Sequence, residues 1–398
     1  MRFVEICGAL SSSLLFSSLL SSPLAVLSAC LLTRHATPRH IYFPLRIQLW
    51  GMEFPHDYMQ LYAASVTALK SVDAKLKVGG PATAGLAFMP QFVNETKSRG
   101  LPLPEFVSSH HYPTDGKNGP DSPPGCPRGD AWDPTCFARQ VLAAKDSIAP
   151  IPFYLTEYNV GCCLGYSSHD VAAAAAFIFR TVGDLNDNGV ELYSYWTFTD
   201  VFEEGGLPRV EFKNVYGMMT MNGIPKPAWR AFEALHTFAG DLRLSTTLGA
   251  QPRPQGVAGA GELPVLAAFA TTNSSANAGA GAGAVPMSIF LSHWSNPEAS
   301  EASVADRIAY VTVLHCATCV YESEVKLHVI SSASCDPAAA WRAMGSPPQP
   351  TKAQLAELMS ASEAKVVAVQ ATALNATATA LNVTLPFNTA AVAILVPR

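Results

Sequence analysis

The sequence predicts an α/β fold with parallel strands between residues 46 and 240, followed by a region of short strands. Two observations predict the parallel sheet. Strand-like and helix-like segments alternate four times, and each strand-like segment is an almost continuous apolar run. Such runs are typical of strands that helices cover on both faces, whereas half-exposed strands alternate in polarity. The region therefore predicts either an α/β barrel or a doubly wound sheet.

The individual elements follow from local spacing and from the residues that end them. Apolar residues at helical spacing predict a helix over 56–72, and Gly-Gly-Pro ends the strand that follows it. Gly100 closes the next predicted helix, since glycine is common just past a helix end. The predicted strands cover 46–50, 75–82, 105–113, 152–159 and 191–198, and the predicted helices cover 56–72, 88–100, 136–149, 169–185 and 226–240.

Polar and aromatic residues cluster where the predicted strands end. In a (β/α)8 barrel all these ends converge on one mouth, which is where such enzymes carry their chemistry. No glycine-rich phosphate loop follows any strand, so we expect no nucleotide partner. The clusters favour the barrel, and they comprise Gln48 and Trp50; His110, His111 and Tyr112; Glu157 and Tyr158; and Tyr195, Trp196 and Asp200.

Composition restricts the partner further. The formal net charge is −5, which argues against nucleic acid. Carboxylates and aromatic side chains around one mouth suit a carbohydrate, because aromatic faces stack on sugar C–H surfaces and carboxylates supply acid, base or nucleophile. No paired Cys-x-x-Cys motifs occur, so Cys316 and Cys319 are a weak zinc signal. We therefore expect a carbohydrate substrate and neither a metal nor another cofactor.

Five motifs resemble glycoside hydrolase family 39 in order and spacing. They are KVGGPATAG (77–85), FVSSHHYPTD (106–115), YLTEYN (154–159), SYWTFTDVFEEGG (194–206) and GIPKPAWRAFEALH (223–236). The family contains β-xylosidases and α-L-iduronidases, and the resemblance implies a TIM-barrel catalytic domain followed by a β-sandwich. The expected domains are a segment at 1–45 that is signal-like or translated from non-coding sequence, the C-terminal part of the barrel at 46–240, and the β-sandwich accessory domain at 241–398.

The resemblance also implies roles for individual residues. Glu157 matches the nucleophile of the family's T-E-[YFW]-N motif. The enzyme would then be a retaining glycosidase, which forms a glycosyl ester on one carboxylate while a second carboxylate protonates the leaving oxygen. The other implied roles are His110 beside the nucleophile or the sugar hydroxyls, Tyr112 and Trp196 lining the sugar pocket, and Glu203 or Glu204 hydrogen-bonding sugar hydroxyls.

The acid/base glutamate of the family has no evident counterpart. The family places it in a Trp-Asn-Glu motif just before the helix at 56–72, and here Gln48 occupies that position. Glu53 is an alternative that requires a shifted backbone. An amide can neither donate a proton as a carboxylic acid does nor recover one as a base. Two interpretations stay open: an incomplete gene product of an active enzyme, or a catalytically inactive relative that binds carbohydrate.

Residues 1–45 do not read as the three βα units that the barrel places before this motif. The five remaining parallel strands cannot close a barrel. No charged residue occurs from Ile6 to Leu32, and small residues around Ala29 resemble a signal-peptide cleavage site. An anchor, or a lipoprotein signal at Cys30, is the alternative.

Cysteines and glycosylation motifs favour a secreted or secretory and lysosomal-type compartment. The chain has nine cysteines, and Asn-x-Ser/Thr motifs occur at Asn94, Asn273, Asn375 and Asn382. Four cysteines are expected near the barrel mouth with three possible pairings, and three more leave one odd thiol in the sandwich. The first group is Cys126, Cys136, Cys162 and Cys163, and the second is Cys316, Cys319 and Cys335.

The expected substrate is a neutral β-glycoside of the xylose type, because the TEYN and HHY segments are closer to the β-xylosidase branch. An α-L-iduronide is the runner-up. It would require basic residues that pair with the uronate carboxylate. Lys213 and Lys226 are the candidates for that role.

Overall fold

The computed structural model describes residues 48–49, 52–128, 132–201, 206–248, 265–273, 285–296, 298–300, 303–317 and 319–398. The signal-like segment at 1–45 lies outside these residues. The helices are α1 (His56–Val72), α2 (Met89–Ser98), α3 (Cys136–Ser147), α4 (Ala173–Asp187), α5 (Pro227–Phe238), α6 (Pro337–Ala343) and α7 (Lys352–Ala361). The strands are β1 (Gln48–Leu49), β2 (Met52–Glu53), β3 (Gly79–Thr83), β4 (Phe106–His110), β5 (Phe153–Tyr158), β6 (Leu192–Tyr195), β7 (Leu242–Leu244), β8 (Leu266–Thr272), β9 (Met287–His293), β10 (Arg307–Leu314), β11 (Glu324–Ile330), β12 (Lys365–Asn375), β13 (Ala378–Leu385) and β14 (Thr389–Leu395).

Four parallel strands form the sheet that carries the predicted site. Their order in the sheet is β3–β4–β5–β6, the same as in the chain, and one helix lies between each pair. A barrel keeps this sequential order, whereas a doubly wound sheet reverses it at a switch point. Phe92 of α2, Val141 of α3 and Phe177 of α4 are buried in one core with Val107 and Leu155 of the sheet. The α/β prediction is therefore confirmed in this region.

The expectation of a fifth parallel strand at 46–50 is wrong for the described residues. β1 covers only Gln48–Leu49 and pairs antiparallel with β2, with Gln48 opposite Glu53. The two strands are joined by only two residues, and parallel strands need a crossover of a dozen residues or more. An antiparallel pair of strands therefore lies where a parallel strand was expected.

Burial of every strand on both faces was also expected, and β6 departs from it. Leu192 of β6 is 37% exposed, and the residues along β6 alternate between exposed and partly buried. β6 is an edge of the four-stranded sheet in the described residues. An edge strand has one neighbour fewer to cover its side chains.

The C-terminal region is an antiparallel sheet whose central strands contribute to two different apolar clusters. Among the described residues, the strand order is β10–β13–β12–β11–β14–β9–β8–β7. Phe290 of β9 packs with the α/β core, whereas Ile289 and Leu291 of the same strand face a second cluster. That second cluster also holds Val313 of β10 and Leu381 of β13. One face of the central strands thus covers helix α4 and the other covers the outer strands, as in the expected β-sandwich.

The two regions share a core and a buried polar contact. Arg230 of α5 is 8% exposed and donates to the Ser362 carbonyl and hydroxyl, both at 2.9 Å. It also pairs with Glu363 at 2.7 Å. The division at residue 240 stays a prediction, and it falls in the short connection between α5 and β7.

The structure pairs six cysteines. The disulfides are Cys126–Cys136, Cys162–Cys163 and Cys316–Cys319, and Cys335 is a buried free thiol. These bonds are one of the three expected pairings at the mouth, and they assign the odd thiol. Cys316 and Cys319, the weak zinc candidates, are joined in a disulfide in the structure. No group of metal-ligating side chains is found among the described residues. Within the same residues, every helix is too short or too polar to cross a membrane.

Candidate active site

Glu157 lies at the C-terminal end of β5, and a strand irregularity sets its direction. Ser109 of β4 is opposite Leu155, but the next residue, His110, is opposite Glu157. Thr156 is therefore an extra residue on β5. A bulge of this kind turns the side chains that follow it. It brings Glu157 level with His110 at the end of the parallel strands, where α/β enzymes bind substrates.

Two predicted residues meet the Glu157 carboxylate. Tyr112 Oη donates a hydrogen bond to Glu157 Oε2 at 2.8 Å. His110 Nε2 lies 3.4 Å from Glu157 Oε1, and the Glu157 side chain is 15% exposed. A mostly buried carboxylate with a donor on one oxygen is held in one orientation while its other oxygen faces a ring nitrogen. Such a group suits attack on an electrophilic carbon or acceptance of a proton.

His110 is held from its other side by Thr156. Thr156 Oγ1 lies 2.9 Å from His110 Nδ1 and 3.2 Å from the Ser109 carbonyl, to which it donates. Burial lowers the pKa of His110 to about 4, and the charge of Asp115 opposes this shift only in part. His110 is therefore neutral near pH 7, so it adds no positive charge beside Glu157.

Tyr112 is fixed by the loop that follows β4. Its backbone N–H donates to Asp115 Oδ2 at 3.0 Å, and Asp115 also lies 3.3 Å from Nδ1 of the buried His111. His111 Nε2 is 2.8 Å from Gln140 on α3. Burial, and then the charge of Glu157, raise the pKa of Tyr112 well above its ordinary value. Tyr112 therefore keeps its proton and remains a donor.

Trp196 follows the neighbouring strand β6 and is half-buried. Its N–H donates to the Tyr158 carbonyl at 2.9 Å, and its carbonyl accepts from Asn159 Nδ2. Tyr195 Oη donates to Asn159 Oδ1 at 2.8 Å. The Trp196–Thr197 peptide bond is cis. Tyr158 and Asn159 thus hold the backbone of Trp196 next to the end of β5.

Asp170, Asp200 and Lys226 form a buried ion cluster. Lys226 is fully buried, and its Nζ lies 2.6 Å from Asp170 Oδ1 and 2.8 Å from Asp200 Oδ2. The same nitrogen donates to the Val215 carbonyl at 2.9 Å. Burial raises the pKa of Asp200 to about 7 and outweighs the opposing effect of Lys226. Lys226 is therefore committed to two carboxylates, while the other uronate candidate, Lys213, is exposed.

Four predicted or alternative residues cannot be placed as side chains. Glu203 and Glu204 lie outside the described residues. Gln48 and Glu53 are described only as paired backbone positions of β1 and β2. Glu157, His110 and Tyr112 are brought together, and Trp196 lies on the adjacent strand.

Sequence reasoning missed the residues that support this group. Thr156 and Asp115 are both inside quoted motifs, YLTEYN and FVSSHHYPTD. Their contacts depend on a bulge and on a tight loop, which no residue spacing reports. The cluster of Lys226 with Asp170 was likewise missed, because its members are far apart in the chain.

Comparisons with known proteins identify the family. The model of glycosyl hydrolases family 39 matches residues 49–379. A β-xylosidase of Caldicellulosiruptor saccharolyticus is 37% identical over 190 residues, which cover 46% of this chain and 38% of that protein. A β-xylosidase of Geobacillus stearothermophilus is 31% identical over 206 residues, covering 50% of this chain and 40% of that protein.

A solved family 39 β-xylosidase structure from Caulobacter crescentus has a TM-score of 0.59 at 25% identity, covering 86% of this chain and 62% of that one. The chain thus spans about two fifths of the curated relatives that it matches. The family model nevertheless covers most of the chain, and the matched range includes Glu157. The chain belongs to glycosyl hydrolase family 39.

Proposed function

We propose that this protein is a retaining glycoside hydrolase of the β-xylosidase type, with Glu157 as its nucleophile. The observation that carries the proposal is the Glu157 carboxylate, held at a strand end by Tyr112 at 2.8 Å. The similarity to β-xylosidases supports the substrate class. We also propose that the four sequential parallel strands are part of a (β/α)8 barrel.

The first chemical step follows from this arrangement. Glu157 attacks the anomeric carbon, a glycosyl ester forms, and the bond to the leaving oxygen breaks with its electron pair. Tyr112 stabilises and orients the attacking carboxylate, and neutral His110 adds no positive charge beside it. In the second step water attacks the same carbon, and the ester bond breaks to return the carboxylate.

The leaving oxygen and the attacking water both require proton transfer. The family's position for this role holds Gln48, whose amide cannot supply or take the proton. The chain should therefore react fastest with substrates whose leaving group needs no protonation. This substitution also favours a second candidate function: a relative that binds carbohydrate without turnover.

A neutral sugar fits the charges better than a uronate. Lys226 is neutralised by Asp170 and Asp200, within 2.8 Å of both. We propose Trp196 as the stacking surface, since a half-buried ring presents a face to a sugar. Glu203 and Glu204 are proposed to hydrogen-bond sugar hydroxyls. The compartment is proposed to be secretory, and the protein a glycoprotein.

Aryl xylosides that differ in leaving-group acidity test this proposal. The enzyme should cleave a dinitrophenyl xyloside, and azide, which needs no deprotonation, should accelerate turnover and yield a xylosyl azide of retained configuration. Gln48→Glu should speed the cleavage of poorer leaving groups and reduce the azide effect. Glu157→Gln is the matched control and should abolish all turnover.

The outcomes separate the two candidate functions. If the protein binds xylosides but does not cleave even the dinitrophenyl substrate, the glycosidase proposal is rejected and only the carbohydrate-binding function remains. Cleavage that survives Glu157→Gln would reject Glu157 as the nucleophile.

A further inference from the structure

The four Asn-x-Ser/Thr motifs lie in different structural settings. N-linked glycans require an acceptor on an accessible surface, usually a loop. Asn94 lies within helix α2, Asn273 directly follows β8, and Asn382 lies within β13. Asn375 ends β12 at the two-residue turn that leads into β13. The settings therefore differ in how freely the acceptor can be reached.

The Asn375 motif is exposed over all three residues. Asn375, Ala376 and Thr377 are each exposed. Asn375 also lines a cavity of about 230 Å³, together with His315 and Arg398. This concave surface gives the first sugar residues room beside the acceptor.

The hydrogen bonds inside the motif arrange the acceptor amide. Thr377 N donates to Asn375 Oδ1 at 2.8 Å, and Thr377 Oγ1 lies 3.1 Å from the same oxygen, to which it donates. The amide oxygen of Asn375 is thus engaged twice by its own motif. Donors on the oxygen withdraw electron density from the amide and make the protons on Nδ2 easier to remove. That nitrogen is the atom to which a sugar is joined.

The Asn94 motif has the opposite arrangement. Thr96 is fully buried, and its hydroxyl donates to the Val93 carbonyl at 2.7 Å. The hydroxyl is therefore committed to the helix and is not directed at Asn94. Asn382 is exposed, but its backbone is paired in the ladder with Tyr310 of β10. A turn can approach the active site of a modifying enzyme more freely than a paired strand can.

We propose that Asn375 is the principal N-glycan acceptor of this chain. The donor is an oligosaccharide linked to a polyprenyl diphosphate. The bond from the anomeric carbon to the diphosphate oxygen breaks, and a bond from that carbon to Asn375 Nδ2 forms. One amide proton is released, and the polyprenyl diphosphate leaves with the bonding electron pair.

The site lies in the sandwich, away from Glu157, and goes beyond the proposed glycosidase activity. Its test needs no turnover. The full chain is expressed behind a cleavable secretory leader in yeast, so that the result does not depend on residues 1–45. A second preparation from the yeast cytosol is the unglycosylated reference. Peptide-N-glycosidase treatment in heavy-oxygen water converts each occupied asparagine to a labelled aspartate, which peptide mass spectrometry locates.

The expected result is label at Asn375 in most of the secreted protein and little at Asn94. Thr377→Ser should keep the modification, and Thr377→Val and Asn375→Gln should remove it. An unlabelled Asn375 peptide from secreted, folded protein would overturn the proposal, whether or not another motif is occupied. Modification of Asn375 that persists in Thr377→Val would also overturn it, because the hydroxyl contact would then be irrelevant.

Discussion

The hydrogen bond from Tyr112 to Glu157 makes a prediction about stability that does not require catalysis. Tyr112 is 7% exposed, and its hydroxyl donates at 2.8 Å to a carboxylate that is 15% exposed. A hydrogen bond to a charged group contributes about 1.5–3 kcal/mol, because loss of the donor leaves the buried charge less solvated. Tyr112→Phe should therefore lower the free energy of unfolding by about 2 kcal/mol.

A double-mutant cycle isolates this contact. In a Glu157→Gln background the acceptor is neutral, so Tyr112→Phe should cost only about 1 kcal/mol, and the coupling energy should be about 1 kcal/mol or more. Urea denaturation followed by tryptophan fluorescence measures all four proteins. Tyr195→Phe is the matched control, because its hydroxyl donates at 2.8 Å to the neutral amide of Asn159.

The control should lose about 1 kcal/mol in both backgrounds, since its acceptor does not change. A coupling energy between Tyr112 and Glu157 below about 0.5 kcal/mol, the usual error of additivity, would refute the reasoning. The carboxylate would then not depend on Tyr112 for its orientation or its solvation.

Three further predictions concern buried charges. Lys226→Met should lower the free energy of unfolding by about 3–5 kcal/mol in urea, because two buried carboxylates lose their cation; a loss below about 1 kcal/mol would contradict the ion cluster. Burial raises the pKa of Asp200 from 3.8 to about 7, so the folded state keeps a proton that the unfolded state releases. Stability should thus be lost as the pH rises from about 4 to about 7, and Asp200→Asn should lose less over that interval; parallel pH curves would reject the shift. Arg230→Met should cost about 2–4 kcal/mol in urea, because the carbonyl and hydroxyl of Ser362 lose their donor; an unchanged midpoint would reject the contact as an anchor between the two regions.

Sequence patterns predicted best the elements that are determined by regular spacing of nearby residues. Helix α1 begins and ends where apolar spacing placed it, at 56 and 72. The strand predicted at 75–82 instead covers Gly79–Thr83, because it pairs only with β4 among the described residues. The strand predicted at 46–50 pairs antiparallel with β2. The direction in which two strands pair depends on the length of the connection between them, and the apolar pattern of a single strand does not indicate it.

The sequence predicted the chemically reactive side chains of the site but not the residues that support them. Glu157, His110 and Tyr112 were identified from their motifs, and the structure brings the three together. The support from Thr156 and Asp115 could not be predicted, since it depends on a strand bulge and on loop geometry. The ion pair between Lys226 and Asp170 also could not be predicted, because a contact between residues far apart in the chain leaves no periodic pattern in the sequence.

Covalent trapping of the glycosyl ester tests whether Glu157 is the nucleophile. A 2-deoxy-2-fluoro-xyloside with a dinitrophenyl leaving group needs no protonation of that group, so its sugar should be transferred to the Glu157 carboxylate of this chain while dinitrophenolate leaves. We expect a stable fluoroxylosyl adduct on the peptide around residues 152–163, located at Glu157 and absent from Glu157→Gln. An adduct on another residue, or none on folded protein, would contradict it.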